Sequence, residues 1–187
     1  MQTQTDKVLQ SRVCQNEMRL EFDSRSCNEG FARVAVASFL TQLNPTLEEV
    51  ADVKTAVSEA VTNAIIHGYE GRVEKITISS RISGQELYVE VSDYGKGIPD
   101  VRLAMEPLFT TKAECDRAGM GFAFMEAFMD TLEVESEPGK GTLVKMTKRI
   151  SRGTSKEPSG YERKTGQPES AVKSGGDSEA DNQTAER

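Results

Sequence analysis

From Thr46 to Gly68 the chain carries its longest amphipathic pattern, and that pattern constrains everything packed around it. Leu47, Val50, Val53, Val57, Ala60, Val61, Ala64 and Ile65 recur at helical spacing and supply one stripe to be buried. Thr46 with Glu49 forms a capping box that starts the helix, and Gly68 closes it. Beside the apolar stripe, Glu59, Asn63 and His67 follow at intervals of four, so they stack on a slowly rotating polar face. A one-sided helix of this kind needs a second layer to cover its apolar face.

The flanking sequence supplies that layer. Met18, Leu20 and Phe22 share one face of a short strand. Ser26 to Glu29 reads as a capping box opening a helix through about Leu43, with Phe31, Val34, Ala35, Ser38, Phe39 and Gln42 near one face, and Asn44-Pro45 ends it. After the central helix, Ile76 and Ile78, then Leu87, Val89 and Val91, alternate around a turn at Ser83-Gly84 and predict a hairpin. A further helix is predicted from near Gly119, carrying Phe122, Met125, Ala127 and Met129. Two last strands, Leu132 to Ser136 and Thr142 to Thr147, are joined by Glu137-Pro138-Gly139-Lys140-Gly141. The order βααββαββ predicts an α+β two-layer sandwich, a mixed β-sheet with helices on one face.

Composition sets the limits of this unit. After Ile150 the chain turns to Gly, Ser, Pro, Glu, Lys and Gln, and residues 151–187 hold too little apolar surface to offset the entropy of ordering them. They are expected to form a disordered polar tail of balanced charge, and residues 1–16 a flexible N-terminal extension. The folded unit is then 17–150, and everything beyond Arg149 is expected to be dispensable to it. Net charge is −7 and Lys and Arg gather into no stripe, which argues against a nucleic-acid backbone as partner. The absence of an 18-residue apolar run or of a signal-peptide core in the sequence predicts a cytoplasmic protein away from membranes. Cys14, Cys27 and Cys115 are scattered and His67 is the single histidine, so neither a disulfide framework nor a zinc site is expected.

The polar helix face suggests chemistry. An Asn63 side-chain oxygen suits a hard cation such as magnesium, which keeps several waters and borrows phosphate oxygens. Glu59, one turn earlier, can orient or deprotonate an attacking hydroxyl. The same face also suits an ordinary solvated helix surface with a histidine favoured by the C-terminal dipole. The glycines weigh against that alternative. Asp93 ends a β-rich segment, and Gly95 and Gly97 after it permit close approach to a flat ring whose exocyclic amine the carboxylate can accept. Gly119-Met120-Gly121 falls at a predicted helix start, where free backbone N–H groups can receive phosphates. The chain has no lysine of the P-loop type there, and Gly95 does not open a βαβ unit, which argues against P-loop and Rossmann sites.

Three stretches stand in a specific order and spacing: Ser58-Glu59-Ala60-Val61-Thr62-Asn63-Ala64-Ile65-Ile66-His67-Gly68-Tyr69, Pro107-Leu108-Phe109-Thr110-Thr111-Lys112, and Gly119-Met120-Gly121-Phe122. In them the chain resembles the anti-sigma factor serine kinases, most closely those of spore-forming bacteria, within the wider Bergerat-fold (GHKL) ATPases that include the histidine kinases and gyrase B. The resemblance covers about Asn16 to Lys148. It implies the Bergerat ATP-binding fold, with Glu59 as catalytic base, Asn63 as the magnesium-binding amide and His67 inside the nucleotide motif. Asp93 falls on the adenine-recognising aspartate, with Gly95 and Gly97 shaping its pocket and Thr142 supporting it. Gly119 and Gly121 match phosphate-facing glycines. The segment from about Met105 to Ala118 corresponds to an ATP lid, in which Thr110, Thr111 and Lys112 join the nucleotide contacts and Arg117 matches a catalytic, phosphate-neighbouring arginine.

Arg33 matches a residue that contacts protein partners. Tyr94 departs from close relatives, which usually carry Glu there, and its side chain is expected to point away from adenine. The implied protein is a homodimeric serine protein kinase that uses ATP, yields ADP and needs Mg2+. It would bind and inhibit a sporulation sigma factor and phosphorylate a serine of that factor's anti-anti-sigma factor, with no direct nucleic-acid or membrane partner. The alternative is a nucleotide-controlled sigma-binding protein with negligible kinase activity.

Overall fold

The Thr46 capping box forms in full: its hydroxyl accepts the Glu49 amide at 3.2 Å, and the Glu49 carboxylate accepts the Thr46 amide at 2.7 Å. The computed structural model describes residues 15–106 and 120–151. The expected extension and tail fall almost wholly outside the described residues. In chain order the elements are β1 (Gln15–Asp23), α1 (Ser26–Leu40) with a 3-10 turn (Thr41–Leu43), α2 (Leu47–Asn63) running into a π-helical turn (Ala64–Gly68), β2 (Lys75–Ser83), β3 (Glu86–Asp93), α3 (Val101–Ala104), α4 (Gly121–Phe128), β4 (Thr131–Glu137) and β5 (Gly141–Arg149).

The five strands lie in the order β1-β2-β3-β5-β4, and each neighbouring pair is antiparallel. The sheet is therefore antiparallel throughout, where a mixed one was expected. The reason is local: β2–β3 and β4–β5 are hairpins, and β5 enters beside β3 in the opposite sense, pairing Asp93 with Thr142 and Glu86 with Arg149. Alternation then sorts the side chains. Phe22, Ile76, Ile78, Ile82, Leu87, Val89, Val91, Val144 and Met146 are buried, and the helices cover their face. Arg81, Tyr88, Glu90 and Lys145 belong to the other face, where the Arg81 guanidinium lies 4.6 Å from the Tyr88 ring centroid. This is the polar outer face an antiparallel sheet can turn to water.

The α2 stripe is buried as predicted at Val53, Val57, Ala60, Val61 and Ala64, but Leu47, in its first turn, is 90% exposed. Met125 of α4 is fully buried, and truncating it to Ala would cost about 2–5 kcal/mol. The first helix differs more from expectation. Its N-cap is Arg25, which makes no side-chain cap, so the Ser26–Glu29 box does not form. Glu29 instead reaches Ser58 on α2, and Asn28 Nδ2 donates to the Asp23 carbonyl at 2.8 Å. The buried face is Ala32, Val36, Ala37, Phe39 and Leu40, whereas Phe31 and Val34 are more than half exposed. The hairpin turn sits one residue later than predicted, at Gly84-Gln85. The short α3, capped by Asp100 on the Leu103 amide at 3.0 Å, was not foreseen.

Candidate functional site

The end of α2 builds one wall of the site. Its last turn widens from α to π geometry, closed by the Tyr69 amide donating to the Ala64 carbonyl at 3.0 Å. In an unbroken α-helix, residues 63 and 68 would point about 140° apart around the axis. A π-turn takes up the extra residue, and such turns recur at functional sites. Asn63, Ala64, His67 and Gly68 all line one cavity of about 440 Å³ here.

Ala60, Val91, Ile98, Leu103, Phe122 and Val144 make the cavity walls largely apolar, with Asn63, His67, Asp93, Lys96, Asp100 and Thr142 as the polar residues among them. That balance and size suit a small molecule held by a flat apolar body and a few oriented contacts. Asp93, at the end of β3, is only 7% exposed, and its Oδ1 accepts the Gly95 amide at 2.8 Å. Burial raises its pKa above the usual carboxylate range, opposed by the backbone amides of Gly95 and Thr142. The Thr142 hydroxyl itself meets Ser136 Oγ at 3.0 Å, so within the protein Thr142 acts on Asp93 through its backbone.

The backbone around Asp93 is packed too closely for side chains. A Cβ on Gly68 would stand 2.9 Å from Asp93 Oδ1, and one on Gly95 would collide with the Gly68 carbonyl. Gly97 combines a φ of +71° with direct contact against the Glu137 carbonyl, so only glycine fits. Hydrogen bonds lock the same loop on both sides: the Lys96 amide donates to Gly68 at 2.9 Å, and the Gly139 amide to Lys96 at 2.7 Å. Lys96 Nζ pairs with Glu70 at 2.7 Å, and Lys96 also lines the cavity. Tyr94 is 75% exposed, in agreement with a side chain turned away from the pocket.

Glu59 and Asn63 converge on the first residue of α4. A Cβ on Gly121 would stand 3.2 Å from Glu59 Oε2 and 3.4 Å from Asn63 Oδ1. A carboxylate and an amide oxygen thus flank a helix start whose first amides are unpaired within the helix. Both are hard oxygen donors, and few protein ligands are what Mg2+ takes when phosphates and water complete its shell, so the donor set fits that ion.

The structure therefore brings together Glu59, Asn63, His67, Asp93, Gly97, Gly121 and Thr142, with Gly95 buried against Gly68 behind them. Thr110, Thr111, Lys112, Arg117 and Gly119 lie outside the described residues. Arg33 is not in the cavity. It lies on α1 with Nη1 3.5 Å from Glu29 Oε1. Sequence reasoning missed Ile98, Leu103 and Ser136; the Ser136 hydroxyl accepts the Ile98 amide at 2.8 Å and donates to the Gly141 carbonyl at 2.8 Å. A serine between glutamates in an alternating strand carries no local signal of that role.

Residues 24–148 match the family described as histidine kinase-like ATPase domain. The chain is 64% identical over 135 residues to the anti-sigma F factor of Thermoanaerobacter sp. (strain X514), covering 72% of this chain and 94% of that one. It is 62% identical over 137 residues to that of Caldanaerobacter subterraneus subsp. tengcongensis, covering 73% and 96%. To that of Clostridium acetobutylicum it is 56% identical over 138 residues, covering 74% and 96%. Among solved structures, the RsbU and RsbW domains of a Mycobacterium tuberculosis protein align with a TM-score of 0.55 at 22% identity, over 73% of this chain and 32% of that one. That last likeness is one of fold.

Proposed function

The chain belongs to the histidine kinase-like ATPase family and, within it, to the anti-sigma F factors, and from that premise we propose that it is a homodimeric, cytoplasmic serine protein kinase that also silences a sporulation sigma factor. Its kinase substrate is a serine of the anti-anti-sigma factor, and its phosphate donor is MgATP. The observation that carries this reading is the layout of one cavity, with Asp93 among its walls and Asn63, beside Glu59, at the start of α4.

In this reading the apolar walls take the adenine ring, and the Asp93 carboxylate accepts its exocyclic amine. The start of α4 at Gly121, with Gly119 before it, receives the phosphates. Asn63 Oδ1 holds Mg2+, which when bound would neutralise phosphate charge. Glu59 takes the proton of the substrate serine as its oxygen bonds the γ-phosphorus and the bond to the departing ADP oxygen breaks. His67 lines the nucleotide pocket, and the phosphate contacts that the resemblance implies for Thr110, Thr111, Lys112 and Arg117 fall on residues outside the described ones. Residues 17–150 make up this working unit, with 1–16 and 151–187 as its extensions.

Partner capture belongs to α1. Arg33 is half-exposed, and Phe31 and Val34 beside it are more than half exposed, an apolar surface next to a cation that solvent alone does not account for. The direct experiment mixes the purified protein with ATP, magnesium and an anti-anti-sigma protein and locates phosphate by mass spectrometry. Phosphoserine on the partner is the expected result. Tight sigma binding with no transfer would favour a nucleotide-controlled binding protein instead.

A further inference from the structure

Tyr69 follows directly on the π-helical turn and is 1% exposed, yet the chemistry above does not use it. Its hydroxyl has two backbone partners. It donates to the Lys75 carbonyl at the head of β2 and accepts the Tyr94 amide at 2.8 Å. The directions are fixed, because a carbonyl can only accept and an amide N–H can only donate. Burial raises the phenol's pKa, so it stays neutral and keeps both roles through the physiological range.

The position of that amide gives the contact its meaning. Tyr94 lies one residue beyond β3, where the ladder to β2 has ended at the Ile76–Asp93 pair. The N–H that Tyr69 accepts is in the same peptide plane as the Asp93 carbonyl. Further along, the loop is held by Gly68 and Gly139, whereas the Tyr94 side chain is 75% exposed and makes no hydrogen bond among the described residues. We propose that Tyr69 is a positioning residue for base selection: its hydroxyl pins the 93–94 peptide plane and so sets the aim of the Asp93 carboxylate. This rests on Asp93 being the adenine-recognising group. The π-turn and the base contact are then one device, since the turn that puts His67 and Gly68 on the cavity wall delivers Tyr69 to the peptide behind it.

The test compares Tyr69→Phe, Asp93→Ala and the parent full chain by calorimetric titration with ATP and with GTP, both with magnesium. The Phe variant keeps the ring and its packing but leaves the Tyr94 amide and Lys75 carbonyl without their partner. ATP affinity should fall about tenfold, and the preference for ATP over GTP should narrow by a similar factor. A purely structural tyrosine would lower the melting temperature without moving that ratio, and an unchanged ratio overturns the proposal. Asp93→Ala, which removes the acceptor, separates the two levels. If it binds ATP as the parent does, the adenine reading fails and takes this proposal with it. If it loses ATP while Tyr69→Phe keeps the parental ratio, only the proposal for Tyr69 fails. Should the Phe variant not fold, amide exchange of the parent decides: the Tyr94 amide should be protected without nucleotide, and exchange at the rate of an open loop overturns the assignment.

Discussion

Ser58 Oγ donates to Glu29 Oε1 at 2.5 Å, joining α1 to α2 one residue before Glu59. Glu29 is also ion-paired with Arg33, at 3.5 Å. The surface proposed for partner capture and the helix proposed for catalysis thus share one carboxylate. Arg33→Ala should weaken association with the sigma factor or the anti-anti-sigma factor, and Arg33→Glu more so, since it places a second acid one turn from Glu29. Because Glu29 keeps its bond to Ser58 in either variant, nucleotide affinity should stay near the parent's. Equilibrium titrations with both partners and with ATP check this. Unchanged partner affinity would make Arg33 ordinary surface, and a loss of ATP binding would show that the Glu29 junction transmits to the pocket.

Replacing Glu59 with Gln preserves size and hydrogen bonding but removes the base. Phosphoryl transfer should drop by about 10²-fold or more, with ATP binding largely kept. Asn63→Ala should do the reverse, weakening magnesium-dependent binding first, because its amide oxygen is the proposed ligand. Single-turnover rates and calorimetry on the two variants distinguish these roles. Equal rates for Glu59→Gln and the parent would remove Glu59 from the mechanism.

Asp93 yields a pH prediction with a definite sign. Burial holds its folded-state pKa above the unfolded value. The native state then binds the proton more readily than the unfolded chain, so this group's contribution to stability grows as pH falls through the folded pKa and is lost as pH rises through it. Nucleotide recognition runs the other way, because the protonated carboxyl has lost acceptor capacity. Acidification should therefore weaken ATP binding while the Asp93 contribution to stability increases. A carbon-detected NMR titration of the Asp93 carboxyl should show a midpoint above that of an ordinary aspartate, and an ordinary midpoint would refute the burial argument.

What was legible in the sequence is what repeats locally. The Thr46–Glu49 box and the buried stripe of α2 are set within one or two helical turns, and both appear apart from the exposed Leu47, while Asn63 and His67 of the polar spacing line one cavity. The buried face of α1 was misread because apolar residues surround that helix, so periodicity cannot choose between Phe31 with Val34 and Ala32 with Val36. The Ser26–Glu29 box failed because Glu29 spends its carboxylate on Ser58, 29 residues away. The π-turn, the approach of Gly121 to Glu59 and the Tyr69–Tyr94 bond likewise depend on partners brought by topology. Local patterns hold no record of them.

The boundary of the folded unit shows the same limit and gives the last prediction. Composition suggested that everything after Arg149 could be removed without cost. Ile150, however, is 1% exposed, and its amide donates to the Gln85 carbonyl at 2.8 Å across the β2–β3 turn. The next amide, that of Ser151, donates to Glu49 Oε1 at 2.8 Å, so the carboxylate that caps α2 also holds the end of β5. Burial raises the Glu49 pKa, but the amides of Thr46 and Ser151 outweigh it and hold the group below its usual range. A chain ending at Arg149 loses a buried branched side chain and both bonds, and sets a new α-carboxylate near the site. It should be less stable by about 2–4 kcal/mol, a fall in melting temperature on the order of 10 °C. A chain ending at Gly153 keeps Ile150 and the Ser151 amide and should melt with the parent. Thermal unfolding of the three proteins decides the matter: equal midpoints for the Arg149 and Gly153 truncations would mean that the Ile150–Ser151 clamp contributes nothing to the fold.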